Sequence, residues 1–475
     1  MKLLKLYFNQ FRIILGMWAR VFYRLSRFLK VQQRVKFTIL GFCLVLGSCS
    51  LLATTPAEVA QAPDPAVTRS ITAMEQRLEQ EYEDYFSREL ADTSLDSDEI
   101  AQVLLRQIRQ TERKAAVLWV MPKPDHLRLV LINPGGLPII HEVFDANSTE
   151  LYDVVRRFYV EVTNPRQLTT TSYLEPAQQL YNWMIQPIKS DLEASEIDTI
   201  LFCLGEGLRT LPLGALHDGE QFLIEQYGIT RIPGFNLMNH EYAKLNDANV
   251  LAMGASEFND QNPLPAVPVE LSTIVRQTNQ NPTGLWPGKS FLNDTFTQDN
   301  LDQQLTATDY KIIHLATHAE FQAGSPNQSY IQLWDSQLRL NQMPEMDWNN
   351  PPAELLVLSA CQTAVGNAEV ELGFAGLALQ SGVKSALASL WFVSDLGTLG
   401  LMSEFYQQLK MASTKAEALQ NAQVAMIQQK VRFDQGQLIT SKNSLSLPSE
   451  LAELDDIEMS HPFFWSGFNL IGSPW

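Results

Sequence analysis

The chain has 475 residues, 45% hydrophobic and 19% charged, with a formal net charge of −18. That composition suits a globular protein with a sizeable core, and 24 Gly with 24 Pro are too few for a fibrous or low-complexity chain. Four cysteines exclude a disulfide-stapled scaffold and a paired zinc framework, and residues 58–475 set 26 basic against 53 acidic side chains, a body that repels nucleic acid.

Residues 1–57 hold the other nine Lys and Arg and no acid. Residues 3–30 mix Leu, Ile, Phe and Trp with regularly spaced Arg and Lys, a basic amphipathic stretch suited to an anionic leaflet. The run Phe37–Ala53 carries no charge, and its 17 residues sit at the lower limit for a bilayer span and within reach of a signal segment. Positive charge ahead of it favours a cytoplasmic N-terminus, which sends the acidic body across the membrane. Within the run, Leu46-Gly47-Ser48-Cys49 resembles the lipobox of bacterial lipoproteins and makes Cys49 a lipidation candidate. An uncleaved anchor and cleavage near Ala53 or Ala60 stand beside it. The expectation is a membrane-associated chain, exported or anchored by residues 1–54, with the cytoplasmic face as the other orientation.

Residues 55–115 read as a Pro/Ala-rich linker, Thr55–Val67, followed by two charged helices over 72–113. Two β-rich runs, Ala116–Met121 and Leu127–Asn133, flank the turn Pro122-Lys123-Pro124-Asp125 and predict a hairpin. A helix is expected from Pro176 to Leu192, then a buried strand over Thr199–Leu204. Further strands fall at Val250–Met253, Lys311–Ala316, Leu355–Ser359 and Ser385–Trp391. Helices fall at Val269–Thr278, Leu372–Gln380, Leu396–Lys410 and Thr414–Gln429. Short apolar strands alternating with helices specify an α/β sandwich with a mostly parallel central sheet, whose chemistry belongs beyond the strands' carboxyl ends. The Ser-rich, acidic segment Phe433–Ser460 reads as a long mobile loop.

Two strand exits carry reactive side chains. The run Ile312-Ile313-His314-Leu315-Ala316-Thr317-His318-Ala319-Glu320 delivers histidine, and Leu355-Leu356-Val357-Leu358-Ser359-Ala360-Cys361 delivers cysteine. A sulfur nucleophile needs an imidazole to activate it and backbone N–H donors for the oxyanion, and neighbouring parallel strands ending together supply both. Cys203, in mid-strand, reads as an inert core thiol. The His314/His318 spacing could present two metal ligands on a helix, but the flanking residues favour a strand and argue against a metal pair, and His314 reads as packed inside the sheet.

From about Ala116 to Trp475 the sequence resembles the CHAT family of caspase-like domains. The resemblance rests on Leu208-Arg209-Thr210-Leu211-Pro212-Leu213-Gly214-Ala215-Leu216-His217-Asp218-Gly219, Leu264-Pro265-Ala266-Val267-Pro268 with Glu270, His314–His318, Leu358–Thr363, Gly376–Trp391 and His461–Trp465. It implies the fold shared by caspases, gingipains and separases, with a non-catalytic α/β half over 116–249 and a caspase-like catalytic half over 250–475. It also implies peptide hydrolysis through a thioester by Cys361 and His318, with the backbone N–H groups of Ala319 and Cys361 as the oxyanion hole and no cofactor or metal. The family usually has Gly where Ala319 stands, and a requirement for positive φ there would strain an alanine. Asp395, where the family often has an acid, is a candidate pocket residue for a basic substrate side chain, or else a helix N-cap. Glu320 tunes His318 or is a solvated carboxylate, and His461 packs in the C-terminal aromatic cluster. Partners are a protein or peptide substrate, a regulatory protein and the membrane. The competing expectation is an inactive scaffold or sensor that binds a protein partner.

Overall fold

A computed structural model of the chain describes residues 64–90, 94–276, 284–346, 348, 351–359, 362–363, 367–453 and 456–475. The targeting segment 1–54 with Cys49 lies outside the described residues, and so does Cys361. Among the described residues no helix is long and apolar enough to cross a membrane.

The first half contributes strands β1 (Ala115–Pro122), β2 (Leu127–Ile132), β3 (Ile139–Val143), β4 (Thr199–Leu204) and β5 (Gly228–Ile232). The next stretch adds β6 (Val250–Gly254), β7 (Val275–Arg276), β8 (Trp286–Leu292), β9 (Ile312–Ala316), β10 (Ala319–Phe321), β11 (Tyr330–Gln332) and β12 (Gln337–Arg339). After these come β13 (Leu355–Leu358), β14 (Gln362–Thr363), β15 (Ser385–Ser389), β16 (Arg432–Asp434), β17 (Gln437–Ile439), β18 (Ser444–Ser446) and β19 (Phe468–Gly472). Twelve of them form one sheet, in the order β3-β2-β1-β4-β5-β19-β15-β13-β9-β6-β8-β7. The pairings are parallel except at β1/β2, β2/β3 and β15/β19. The sheet does not break between the two expected halves, because the C-terminal strand β19 pairs with both β15 and β5.

The apolar runs explain this arrangement. All six residues of β4 are buried, as are those of β9 and β13, so these strands are covered on both faces as parallel strands must be. In β1 the period of two divides the side chains: Ala116, Leu118 and Val120 join the main core, while Val117, Trp119 and Met121 join a second cluster on the opposite face. The helices Pro65–Phe86 and Ser97–Thr111 supply that second cluster with Ile71, Leu78, Ile100 and Leu104. Asp96 opens the latter helix in a reciprocal capping box with Glu99.

Three expectations are corrected. The helix expected over Pro176–Leu192 is interrupted: it runs Leu174–Met184, gives way to a 3₁₀ turn at Gln186–Ile188, and resumes at Lys189–Ala194. Pro187 removes a donor and clashes with the preceding turn, which is sufficient cause. The helix expected over Leu372–Gln380 is two short ones, Ala368–Ala375 and Leu377–Ser381, divided at Gly376. The segment Phe433–Ser460 is no loop but contains the antiparallel sheet β16-β17-β18. Gln435 and Gly436 both take positive φ in its first hairpin, the turn geometry that matches strand twist. Phe433 and Leu438 are buried, and Leu438 and Met459 approach Gly400 on the helix Asp395–Leu409.

Gly376 is also a close-approach position, since a Cβ there would lie 2.5 Å from the Phe86 ring and 2.8 Å from the Leu372 carbonyl. Gly376→Ala is expected to cost ~1–3 kcal/mol in urea unfolding. Phe86→Leu in the same chain should recover part of that loss. Equal stability of Gly376→Ala and the unsubstituted chain would show that the helix Pro65–Phe86 does not pack this tightly.

Candidate active site at the carboxyl end of the sheet

Strands β9 and β13 are neighbours in parallel register, with Val357 opposite His314 and Leu358 opposite Leu315. His318 and Cys361 therefore each follow the last paired residues, Leu315 and Leu358, by three positions in the sequence. Just beyond, β10 and β14 pair in parallel, Glu320 with Gln362 and Phe321 with Thr363. The chain on both sides of Cys361 is thus hydrogen-bonded to the chain on both sides of His318.

His318 is half-buried, and its Nε2 donates to the Asn262 carbonyl at 2.8 Å. A carbonyl only accepts, so in the neutral imidazole the proton sits on Nε2 and Nδ1 is left as the acceptor. The ring meets Phe258 at a centroid distance of 4.7 Å and Phe392 at 6.2 Å. Its backbone is fixed by the hydrogen bond from Gln332 N to His318 O, 2.8 Å, and the Thr317 hydroxyl donates to Gln332 O at 2.7 Å. The loop that presents Asn262 is closed by Leu264 N donating to Ser256 O at 2.9 Å. Pro263 holds Asn262 itself out of the helical region. Asn262 acts through its carbonyl, which every residue type has, and so left no sequence signal. Phe258 and Phe392 were missed because aromatics in loops carry no spacing signal.

Ala319 lies in β10 in extended backbone, outside the positive-φ residues, so the anticipated strain is absent. It opposes Ile331 of β11 in the pair next to the hydrogen-bonded His318–Gln332 pair. In an antiparallel ladder such positions alternate, and the Ala319 N–H therefore turns away from β11 to the side of β10 on which β14 lies.

Asp395 is not the N-cap of its helix. Ser394 is, its hydroxyl accepting from Gly397 N at 3.1 Å. The Asp395 carboxylate accepts instead from Ala266 N at 2.6 Å, at the far end of the loop carrying Asn262. Burial pushes its pKa up to about 7, with Glu270 nearby adding to the shift against the opposing pull of the Ala266 N–H. A carboxyl whose folded pKa exceeds its unfolded one stabilises the fold in its neutral form, so its contribution is complete at low pH and is lost as pH rises toward 7. Asp395→Asn keeps an acceptor for Ala266 but cannot ionise. Its stability relative to the unsubstituted chain should grow between pH 4 and 7, by up to ~4 kcal/mol, and level off above. Parallel stability curves for the two chains would refute the shift.

The remaining residues have definite places. His314 is fully buried, with Nδ1 3.1 Å from the Tyr406 hydroxyl and Nε2 3.0 Å from the Glu270 carboxylate. Glu320 accepts from the Tyr330 hydroxyl at 2.9 Å across β10 and β11, rather than from His318. His461 accepts from Phe463 N through Nδ1, packs edge-on against Tyr173, and is held down to a pKa of about 4 by burial. Cys203 is buried, its thiol donates to Pro233 O at 3.5 Å, and burial raises its pKa well above the ordinary value. A thiol so held does not react. Beside His318 lies a cavity of about 540 Å³ lined by Phe258, Tyr330, Gln332, Trp334 and the carboxylates of Glu257 and Asp260.

The family model described as CHAT domain matches residues 174–473. No curated protein matches the sequence. Among solved structures, the chain is similar to separase in the Saccharomyces cerevisiae separase–securin complex, with 9% identity over 86% of this chain and a TM-score of 0.48. It spans only 34% of that separase chain. It is also similar to the complex of the pro- and mature domains of Porphyromonas gingivalis RgpB, with 10% identity, a TM-score of 0.38, and coverage of 75% of this chain and 78% of that one. A further match is the Arg-specific cysteine proteinase gingipain R, at 11% identity and a TM-score of 0.35, covering 69% of this chain and 74% of that one.

Proposed function

The chain belongs to the CHAT domain family, and we propose that it is a protease-like domain of the caspase fold, a cysteine endopeptidase that uses Cys361 and His318. The observation that carries this reading is the double pairing, β9 with β13 before the two residues and β10 with β14 after them. Strand pairs that flank both residues are what supports assigning them to one site.

The chemistry follows from the hydrogen bond on His318. With Nε2–H committed to Asn262 O, Nδ1 takes the thiol proton of Cys361. The thiolate adds to the scissile carbonyl carbon, and the oxyanion is held by the N–H groups of Ala319 and Cys361. Collapse breaks the C–N bond while His318 Nδ1 returns the proton to the leaving amine. Water, deprotonated by His318, then hydrolyses the thioester and regenerates the thiol. No metal or cofactor takes part.

In this reading Asp395 selects Lys or Arg before the cleaved bond through a charge-assisted hydrogen bond. The acid must be ionised for that. The ratio of kcat/KM for a Lys or Arg peptide to that for its Ala counterpart should therefore rise as pH passes through about 7 and be flat for Asp395→Ala. Residues 1–54 hold the enzyme at a membrane in the same proposal, with Cys49 as the lipidation candidate. Fractionation of the full chain against one starting at Ala57, with labelling by a fatty-acid analogue, tests both points.

The primary test is a peptide-library digest comparing the unsubstituted chain with Cys361→Ala. Cleavage by the former alone supports the peptidase. Absence of cleavage from a folded chain, together with no selective alkylation of Cys361 near neutral pH, leaves a binding module.

A further inference from the structure

The helix Ser148–Thr163 turns a stripe of side chains toward an open cavity of about 520 Å³. Tyr152, Val155, Arg156, Tyr159 and Val160 recur at helical spacing along it. The opposite wall is Glu206 and Gly207, just past β4, with Ala368 and Glu371 of the helix that follows the Cys361 segment. The walls are tied together, since the Tyr152 hydroxyl donates to Glu206 O at 3.1 Å and Gly207 N donates to the Glu371 carboxylate at 2.9 Å. Gly207 has φ 81°, and a Cβ on it would lie 2.4 Å from the Tyr152 ring, so this wall is a built contact. Val160 and Tyr152 are nevertheless 54% and 39% exposed. A second cavity of about 230 Å³ continues the groove past Arg156 and Val160.

The groove wall is linked to the candidate active site through residues Leu390–Phe392. The Tyr159 hydroxyl donates to Leu390 O at 3.4 Å, and its ring stands edge-on to Trp391, 5.8 Å between centroids. The next residue, Phe392, stacks against His318. Three consecutive residues thus separate the groove wall from the imidazole, a span of ~10 Å for extended chain. A substrate peptide lying across the strand ends covers that distance with about three residues.

We propose that the groove between helix Ser148–Thr163 and helix Ala368–Ala375 is a substrate subsite that takes a bulky apolar side chain about three residues from the cleaved bond. The assignment rests on the peptidase reading for its register but not for its chemistry. A cavity of this size, apolar on one wall and polar at its rim, fits an aromatic or branched aliphatic side chain with neighbouring backbone. The first half of the molecule then has a part in recognition, because the stripe belongs to it.

The test uses the full chain with Cys361→Ala, so that bound peptide survives, and fluorescence anisotropy as the readout. The probes are a fluorescein-labelled decapeptide of Gly, Ser and Arg containing one Phe, and the same peptide with Ala in its place. The Phe peptide should bind at least ten-fold more tightly. Val160→Arg, on an exposed rim position, should erase the difference without moving the thermal midpoint, and Val160→Leu should preserve it. Equal affinity for the two peptides, no binding of either, or a difference that survives Val160→Arg overturns the subsite. Phe-selective binding lost in Val160→Arg, combined with no cleavage by the unsubstituted chain, leaves the subsite standing and removes the peptidase reading.

Discussion

His318→Ala is expected to lower kcat/KM for any cleaved peptide by at least ~10³-fold, with little change in the urea midpoint. The imidazole is half-buried and hydrogen-bonds a loop carbonyl, so its removal leaves no buried charge behind. If Cys361 and His318 act together as proposed, the thiol then loses its base, and alkylation by iodoacetamide near neutral pH should slow to the rate of an ordinary thiol. Asn262→Ala supplies the contrast. It keeps the carbonyl that orients Nε2–H, and Pro263 still restrains the backbone, so activity should fall by less than ~3-fold. An Asn262→Ala loss as large as that of His318→Ala would mean that the side chain, not the carbonyl, does the work. Normal alkylation and turnover in His318→Ala would remove His318 from the reaction altogether.

Much of the frame that positions these residues was legible in the sequence. Continuous apolar runs such as Thr199–Leu204 and Ile312–Ala316 have one stable solution, strands covered on both faces, and they occupy the expected positions. The His318 and Cys361 segments stood out in the sequence because each candidate side chain follows such a run. What was not legible depends on tertiary closure. The pairing of β19 with β5, which merges two expected halves into one sheet, rests on a contact between residues far apart in the chain. The sheet β16–β18 was missed because its strands are three residues each, too short for alternation to register. Asn262 was invisible because a backbone carbonyl has no identity. Asp395 was read as a cap or a pocket acid, and its bond to Ala266 follows from a loop closure no spacing announces.

Beneath the site, buried polar groups join elements that apolar packing alone leaves free to slide. Glu270 illustrates the point. Its carboxylate lies 3.0 Å from His314 Nε2 in β9 and acts on Asp395 in the helix Asp395–Leu409. Tyr406, from the same helix, reaches the other nitrogen of His314. Three elements that meet below His318 are thereby fixed in one register. Such networks are stable only when fully satisfied, so single replacements within them are severe.

Arg231→Ala should be the most damaging replacement in the sheet, at about 3–5 kcal/mol. The side chain is 1% exposed on β5, opposite Ile471 of β19. It donates to the carbonyls of Arg209 and Leu211, the latter at 2.8 Å, and to the Asn469 side-chain oxygen at 2.9 Å. Burial lowers its pKa only to about 10, so it stays charged at neutral pH. Alanine removes every one of these donors and opens a cavity. Arg231→Met refills the volume but takes this donor from the Arg209 carbonyl and the Asn469 side-chain oxygen, while Leu211 O keeps its bond from Leu213 N, and should fall between. Since β5 and β19 are the seam between the two expected halves, the decisive reading is the shape of unfolding as well as its midpoint. Tryptophan fluorescence and circular dichroism should shift together to lower urea in one transition, because a shared twelve-stranded sheet loses both halves at once. If Arg231→Ala separates the two signals, the seam joins two cooperative units that the arginine had been holding as one.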